Sequence, residues 1–131
     1  MDRTPTILVS DDEPLLVNAL KREARRFGIE VIVDTKSNVV EIAEQHHPDL
    51  IVLDVHQLLD GRDLLAALKR NDKTRDVPVI MLSANDDQYM RNCCFELGAE
   101  DYEVKPFDPA FVRKVARRVR CEPEHEAITL H

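Results

Sequence analysis

Short apolar runs alternate with stretches of helical periodicity along the chain, and no other feature limits the fold as strongly. Thr6–Ser10, Glu30–Val33, Leu50-Ile51-Val52-Leu53 closed by Asp54, Val79–Leu82 and Tyr102–Val104 read as strands. Between them apolar residues recur every three or four positions. The first stripe is Leu16, Ala19, Leu20, Ala24 and Phe27, in a helix predicted over 14–27 with Pro14 in its first turn and Gly28 as its stop. Val39, Val40, Ile42 and Ala43 predict a helix over 38–45, and Leu64, Leu65 and Leu68 predict one after Gly61. Tyr89, Met90, Cys93, Cys94 and Leu97 form a fourth stripe closed by Gly98. The last helix opens at Asp108-Pro109, an N-cap followed by Pro at the first position, and runs through Phe111, Val112, Val115, Ala116 and Val119. Strand and helix in strict alternation predict an α/β fold on a parallel sheet, with the brief Tyr102–Val104 run suited to an edge.

At 131 residues and 44% hydrophobic content, the chain is expected to form one domain around one sheet. Its 25 acidic against 18 basic residues, a formal net charge of -7, argue against general binding to nucleic acid or to an anionic membrane surface. Proteins or small ligands are the expected partners. Three cysteines, Cys93, Cys94 and Cys121, make neither a disulfide framework nor a spaced metal motif. Met1–Thr6 carries no basic-then-apolar signal pattern, and no apolar run reaches bilayer length, so a soluble, cytoplasmic protein is expected.

Three carboxylates stand at the ends of two of these strands, Asp11 and Asp12 after the first and Asp54 at the third. In open parallel sheets the crevice beyond the carboxyl ends of the strands is where ligands bind. Three carboxylates gathered there repel one another unless a hard cation takes up the charge, which points to Mg²⁺. Capping of the first helix is an equally simple use for Asp11-Asp12 taken alone.

Asp11-Asp12, Asp54, Ser83, Tyr102 and Lys105-Pro106, in that order and spacing, resemble the signature of response-regulator receiver domains, the phosphoacceptor modules of two-component signalling. Leu97-Gly98-Ala99-Glu100-Asp101-Tyr102 leading into Val104-Lys105-Pro106-Phe107 is similar to that family in the same register. The likeness covers about residues 5–120, leaving 121–131 as a C-terminal tail. It implies a flavodoxin-like, doubly wound sheet of five parallel strands in the order 2-1-3-4-5 with helices on both faces. It also implies that Asp54 accepts a phosphoryl group from a histidine kinase or phosphotransfer protein. By the same resemblance Asp12 and Asp54 bind Mg²⁺ directly, Asp11 does so mainly through water, and the backbone carbonyl of His56 completes the set. Lys105 contacts a phosphoryl oxygen, Ser83 donates to another, and Tyr102 turns inward as Ser83 moves. The output is a changed surface on helix four, strand five and helix five, read by a downstream protein or by self-association. Such a domain catalyses only its own phosphorylation and dephosphorylation. The Lys105-Pro106 bond is implied to be cis.

One departure stands out. Receivers commonly place seven residues from the phosphoacceptor to the Asp of an Asp-Gly pair, with Met-Pro between, whereas Asp54-Val55-His56-Gln57-Leu58-Leu59-Asp60-Gly61 has six and no Pro. His56 is also an unusual neighbour for a phosphoryl site. Two other functions compete with the receiver reading. A receiver fold that binds its partner without phosphorylation is suggested by the short loop, and retention of the site residues counts against it. A small Mg²⁺-dependent phosphohydrolase would want a second Asp where His56 stands. His46-His47, ahead of Pro48, reads as solvent-facing rather than metal-binding, and Cys93-Cys94 as core. Arg113, Lys114, Arg117, Arg118 and Arg120 read as a solvated basic face rather than a nucleic-acid surface.

Overall fold

Successive side chains of a strand point to opposite faces, so a run such as Leu50-Ile51-Val52-Leu53, with no polar member, needs cover on both sides. The structure, a computed structural model, describes residues 4–105 and 109–120. Strands β1 (Thr6–Ser10), β2 (Glu30–Asp34), β3 (Leu50–Asp54), β4 (Val79–Ser83) and β5 (Asp101–Val104) form one parallel sheet in the order β2-β1-β3-β4-β5. Helices α1 (Pro14–Arg26), α2 (Val39–His46), α3 (Gly61–Arg70), α4 (Gln88–Glu96) and α5 (Pro109–Arg120) follow the strands in turn. This is the doubly wound architecture expected. The Asp108 cap, the Lys105-Pro106 peptide and the 121–131 tail fall outside the described residues.

The sheet divides the core in two. Ile7 and Val9 of β1, Leu50 and Val52 of β3, and Ile80 and Leu82 of β4 face α1 and α5. Leu8, Ile51, Leu53, Val79 and Met81, the intervening residues, face α2, α3 and α4. The chain moves one way across the sheet from β1 to β2 and the other way from β2 through β3, β4 and β5. Right-handed crossovers then require α1 on one face and α2–α4 on the other, which is the division observed. Every residue of β3 and β4 is buried, while β2 and β5 are only partly so, as their edge positions dictate.

Helix boundaries follow local chemistry. Gly28, at φ 70, takes the left-handed conformation past the end of α1 and donates to the Arg25 carbonyl at 3.1 Å, satisfying a terminal acceptor. The α5 stripe is buried as the periodicity predicts. In α1 Val17 is buried and Ala19 only half-buried. Tyr89 corrects the α4 stripe: it lies in the helix's first turn on the outer face and is 71% exposed, while Cys94 is fully buried. Asp60 caps α3, its carboxylate accepting from the Arg62 N–H at 2.9 Å and from the Arg62 guanidinium at 2.8 Å.

The hydrogen bonds from Arg62 hold the Asp60 carboxyl below the ordinary carboxylate range. A depressed folded-state pKa contributes stability above the unfolded pKa and loses it as pH falls through the folded value. Asp60→Ala is therefore expected to cost about 1 kcal/mol at neutral pH. Urea unfolding at a series of pH values should show the gap to wild type closing only in strong acid.

Candidate functional site

The change of direction between β1 and β3 opens a crevice at their carboxyl ends. Asp11 leaves β1 fully buried, Asp12 beside it is exposed, and Asp54 ends β3 buried at 3% exposure. One carboxylate oxygen from each lies within 4.8 Å of the others. Lys105 reaches in from the end of β5, its Nζ 2.9 Å from Asp11 Oδ2, 3.2 Å from Glu13 Oε1 and 3.4 Å from Asp54 Oδ2. Its own N–H donates to the Ser83 carbonyl at 2.8 Å, which fixes the root of the side chain at the strand end.

Burial pushes the Asp54 carboxyl above its ordinary value, and the negative charge of Asp11 pushes the same way. Lys105 and the His56 N–H, 3.2 Å from Asp54 Oδ1, oppose this without cancelling it. Burial disfavours the charge on Lys105, yet Asp11 and Asp54 outweigh it and hold the ammonium above the ordinary lysine range. One ammonium faces three carboxylates. Asp11 Oδ2 is buried, with Lys105 Nζ at 2.9 Å as its partner. Excess negative charge and carboxylate oxygens gathered within 4.8 Å of one another fit a hard divalent cation such as Mg²⁺.

Asp11 does not cap α1. The N-cap is Glu13, whose side chain makes no capping bond, and Asp11 Oδ1 instead accepts from the Glu13 N–H at 2.9 Å. Ser83 ends β4 fully buried, and its Oγ accepts from the Asn85 N–H at 3.1 Å. Tyr102 points inward at 3% exposure, its hydroxyl donating to the Asn85 carbonyl at 3.0 Å and its ring 4.7 Å from the Arg91 guanidinium. Both side chains therefore hold the same residue of the β4–α4 loop. His56 is exposed and pairs in an isolated antiparallel bridge with Asp60. His46 and His47 are exposed, at the end of α2. Lys114 and Arg118 are not simply solvated: Lys114 pairs with Asp101 and Glu103, and Arg118 with Glu100.

The model of the response regulator receiver domain family matches residues 7–117. The chain belongs to the response-regulator receiver family. It is 39% identical over 117 residues to the alkaline phosphatase synthesis transcriptional regulatory protein PhoP of Bacillus subtilis, covering 88% of this chain and 47% of that protein. It is 33% identical over 131 residues to the transcriptional regulatory protein BaeR of Escherichia coli, covering 95% of this chain and 52% of that one. The chain thus spans about half the length of these relatives. Among solved structures, the receiver domain of the sensor histidine kinase PA1611 from Pseudomonas aeruginosa superposes with a TM-score of 0.79 at 28% identity, covering 89% of this chain and 98% of that one. That structure holds a magnesium ion coordinated in its active site cleft. The Francisella response regulator 1452 receiver domain gives 0.80 at 27% identity, covering 91% and 99%. No helix among the described residues of this receiver is long and apolar enough to cross a membrane.

The short loop of this receiver is closed by close approach. The Gly61 N–H donates to the Val55 carbonyl at 2.8 Å, and a Cβ on Gly61 would stand 2.4 Å from the Asp54 carbonyl oxygen. Only glycine lets α3 begin so near the end of β3. Gln57, half-buried in this loop, belongs to no motif that marks it in the sequence. Its one visible signal was the missing residue around it. Glu13 was missed for a different reason, because its contact with Lys105 joins residues far apart in the chain.

Removing the ammonium from the site leaves Asp11 and Asp54 as buried, uncompensated charges. Lys105→Met is expected to cost about 2 kcal/mol in metal-free buffer, less than a fully buried pair because Lys105 keeps some contact with solvent. Thermal melts with and without Mg²⁺ should show the cation raising Tm more in this variant than in wild type.

Proposed function

We propose that this receiver takes a phosphoryl group from a histidine kinase or phosphotransfer protein onto Asp54, and that the transfer depends on Mg²⁺. The observation that carries the reading is Lys105, set within ion-pair distance of both Asp11 and Asp54 at the sheet's switch point. Asp11, Asp12 and Asp54 supply the carboxylates for the cation, with the His56 carbonyl as a further oxygen donor. When bound, Mg²⁺ neutralises the repulsion between an anionic carboxylate and an anionic phosphoryl group. Asp54 attacks the phosphorus, a P–O bond forms, and the P–N bond of the donor's phosphohistidine breaks with the nitrogen as leaving group. Lys105 then trades part of its pairing with the carboxylates for a phosphoryl oxygen. Ser83, an acceptor for the Asn85 N–H, keeps its hydroxyl proton for another.

Ser83 and Tyr102 both hold Asn85, so a shift of Ser83 toward the phosphoryl group disturbs the bond that Tyr102 makes. The change reaches the α4–β5–α5 surface, where Tyr89 and Phe95 are exposed at 71% and 41% and Lys114 bridges α5 to β5. Two packings separated by a few kcal/mol suffice for such a switch. The partner that reads it is a protein, or a second copy of this chain, in the cytoplasm. The domain spans 5–120 and turns over no substrate of its own.

Incubation with a small-molecule phosphodonor, followed by intact-mass measurement, should give one phosphoryl adduct in wild type with Mg²⁺, none after chelation and none in Asp54→Ala. Absence of an adduct with every donor, including a phosphorylated histidine kinase, would move the reading to a phosphorylation-independent interaction module. Steady release of phosphate from a non-protein ester would make it a phosphohydrolase.

A further inference from the structure

The Gln57 amide sits where the ends of β1 and β3 meet the loop that leads into α2. Its Nε2 donates to the Asp54 carbonyl at 2.8 Å and to the Ser10 carbonyl at 3.2 Å. Its Oε1 accepts from the Ser37 hydroxyl at 3.0 Å and lies 3.1 Å from the Ser10 hydroxyl. The amide's orientation is determined by chemistry: two carbonyl oxygens can only accept, so the nitrogen must face them. Both amide hydrogens and one lone pair of the amide oxygen are thereby engaged, since the single Ser10 hydroxyl proton goes to the shorter contact with Asp34.

These partners are not scattered. Ser10 immediately precedes Asp11, and Asp54 is held through its own carbonyl, so a single side chain spans the two strand ends that carry the buried carboxylates. Ser10 and Leu53 are paired in the β1–β3 register, which leaves Ser10 and Asp54 at the point where the ladder runs out. Gln57 continues the connection across that point. On its other side, Ser37 sits at φ 57, in the left-handed region, and its hydroxyl accepts from the Leu59 N–H at 3.1 Å while donating to Gln57. Asp34 completes the network, accepting from the Ser10 hydroxyl at 2.8 Å and from the N–H groups of Lys36 and Asn38. Strained backbone held by side-chain hydrogen bonds is the mark of a segment whose position matters. The loop that lacks one residue and a proline is held by this amide.

We infer that Gln57 is a positioning residue, which sets Asp11 against Asp54 for cation binding and makes that spacing depend on the β2–α2 loop through Ser37. The inference rests on the proposed reading of Asp11 and Asp54 as cation-binding carboxylates. Gln57 itself need touch neither the cation nor the phosphoryl group. Groups that orient metal ligands from behind commonly change metal affinity by about 10- to 100-fold when removed.

Calorimetric titration of Mg²⁺ into the full chain tests this without reference to phosphorylation. Gln57→Met keeps the side chain's length and loses every hydrogen bond, and should weaken Mg²⁺ binding by about tenfold or more. Ser37→Gly, which suits the left-handed backbone and removes one bond to the amide, should weaken it by a smaller factor. Thr74→Val is the control for general destabilisation, since Thr74 is fully buried and its hydroxyl donates to the Leu68 carbonyl at 2.7 Å, in the loop after α3. It should leave Mg²⁺ affinity unchanged. Equal affinity in wild type and Gln57→Met overturns the inference, as does a loss in Thr74→Val matching that in Gln57→Met. If far-ultraviolet circular dichroism shows Gln57→Met unfolded, Ser37→Gly decides, and wild-type affinity in that variant overturns the inference. A wild-type chain that binds no Mg²⁺ overturns the reading of the site and this inference with it, whereas Mg²⁺ binding without phosphorylation leaves the inference standing and removes only the phosphoacceptor role.

Discussion

Burial of β1, β3 and β4 on both faces is the constraint from which the rest follows. A strand covered by helices on each side has no place for a charge along its length, so the polar residues of these strands collect at their ends. Ser10, Asp11, Asp54 and Ser83 are all buried, and all stand at or just past the carboxyl ends of their strands. The switch of direction between β1 and β3 keeps helices from closing over that edge. Charge that the core cannot hold is thus concentrated in the one crevice that the topology leaves open.

Concentrated charge needs compensation, and Lys105 supplies only part of it. It crosses from the edge strand to β1 and β3, so that the position of β5 is read directly at the carboxylates. The same strand carries Tyr102, whose hydroxyl holds Asn85, the residue that also donates to Ser83. One short strand therefore connects the charge cluster to the outer surface by two routes, one ionic and one through hydrogen bonds. On the opposite flank, the Gln57 network links the cluster to the β2–α2 loop. The site is thus held from both sides.

The legible parts of this fold are those set by neighbours in the chain. Four of the strands were visible because three or four apolar residues in a row, bounded by polar ones, have few other uses, and the fifth only as the short Tyr102–Val104 run. The α5 stripe was visible because both its apolar and its basic positions keep helical spacing. Errors arose where periodicity was real but its depth was not written in it. Tyr89 shares the spacing of Cys93 and Cys94 yet lies on the outer face, since α4 packs on the sheet through a narrow strip. Asp11 followed by Asp12 looked as suited to a helix cap as to a cation site, and only the burial of Asp11 and the approach of Lys105 separate the two uses.

By itself the sequence determined the number and order of the strands and helices, the acidic residues at the strand ends, and the order and spacing that resemble a receiver. These are properties of local pattern, set by backbone periodicity and apolar burial. The tertiary structure alone decided which faces of each strand met which helices, that Glu13 joined Lys105, and that Tyr102 and Ser83 shared Asn85. It alone gave Gln57 a role. Those contacts join residues 47 and 92 positions apart, such as Ser10 with Gln57 and Glu13 with Lys105. The physical reason is that a hydrogen bond or ion pair depends on distance in space, which the chain settles only once the sheet has brought its ends together.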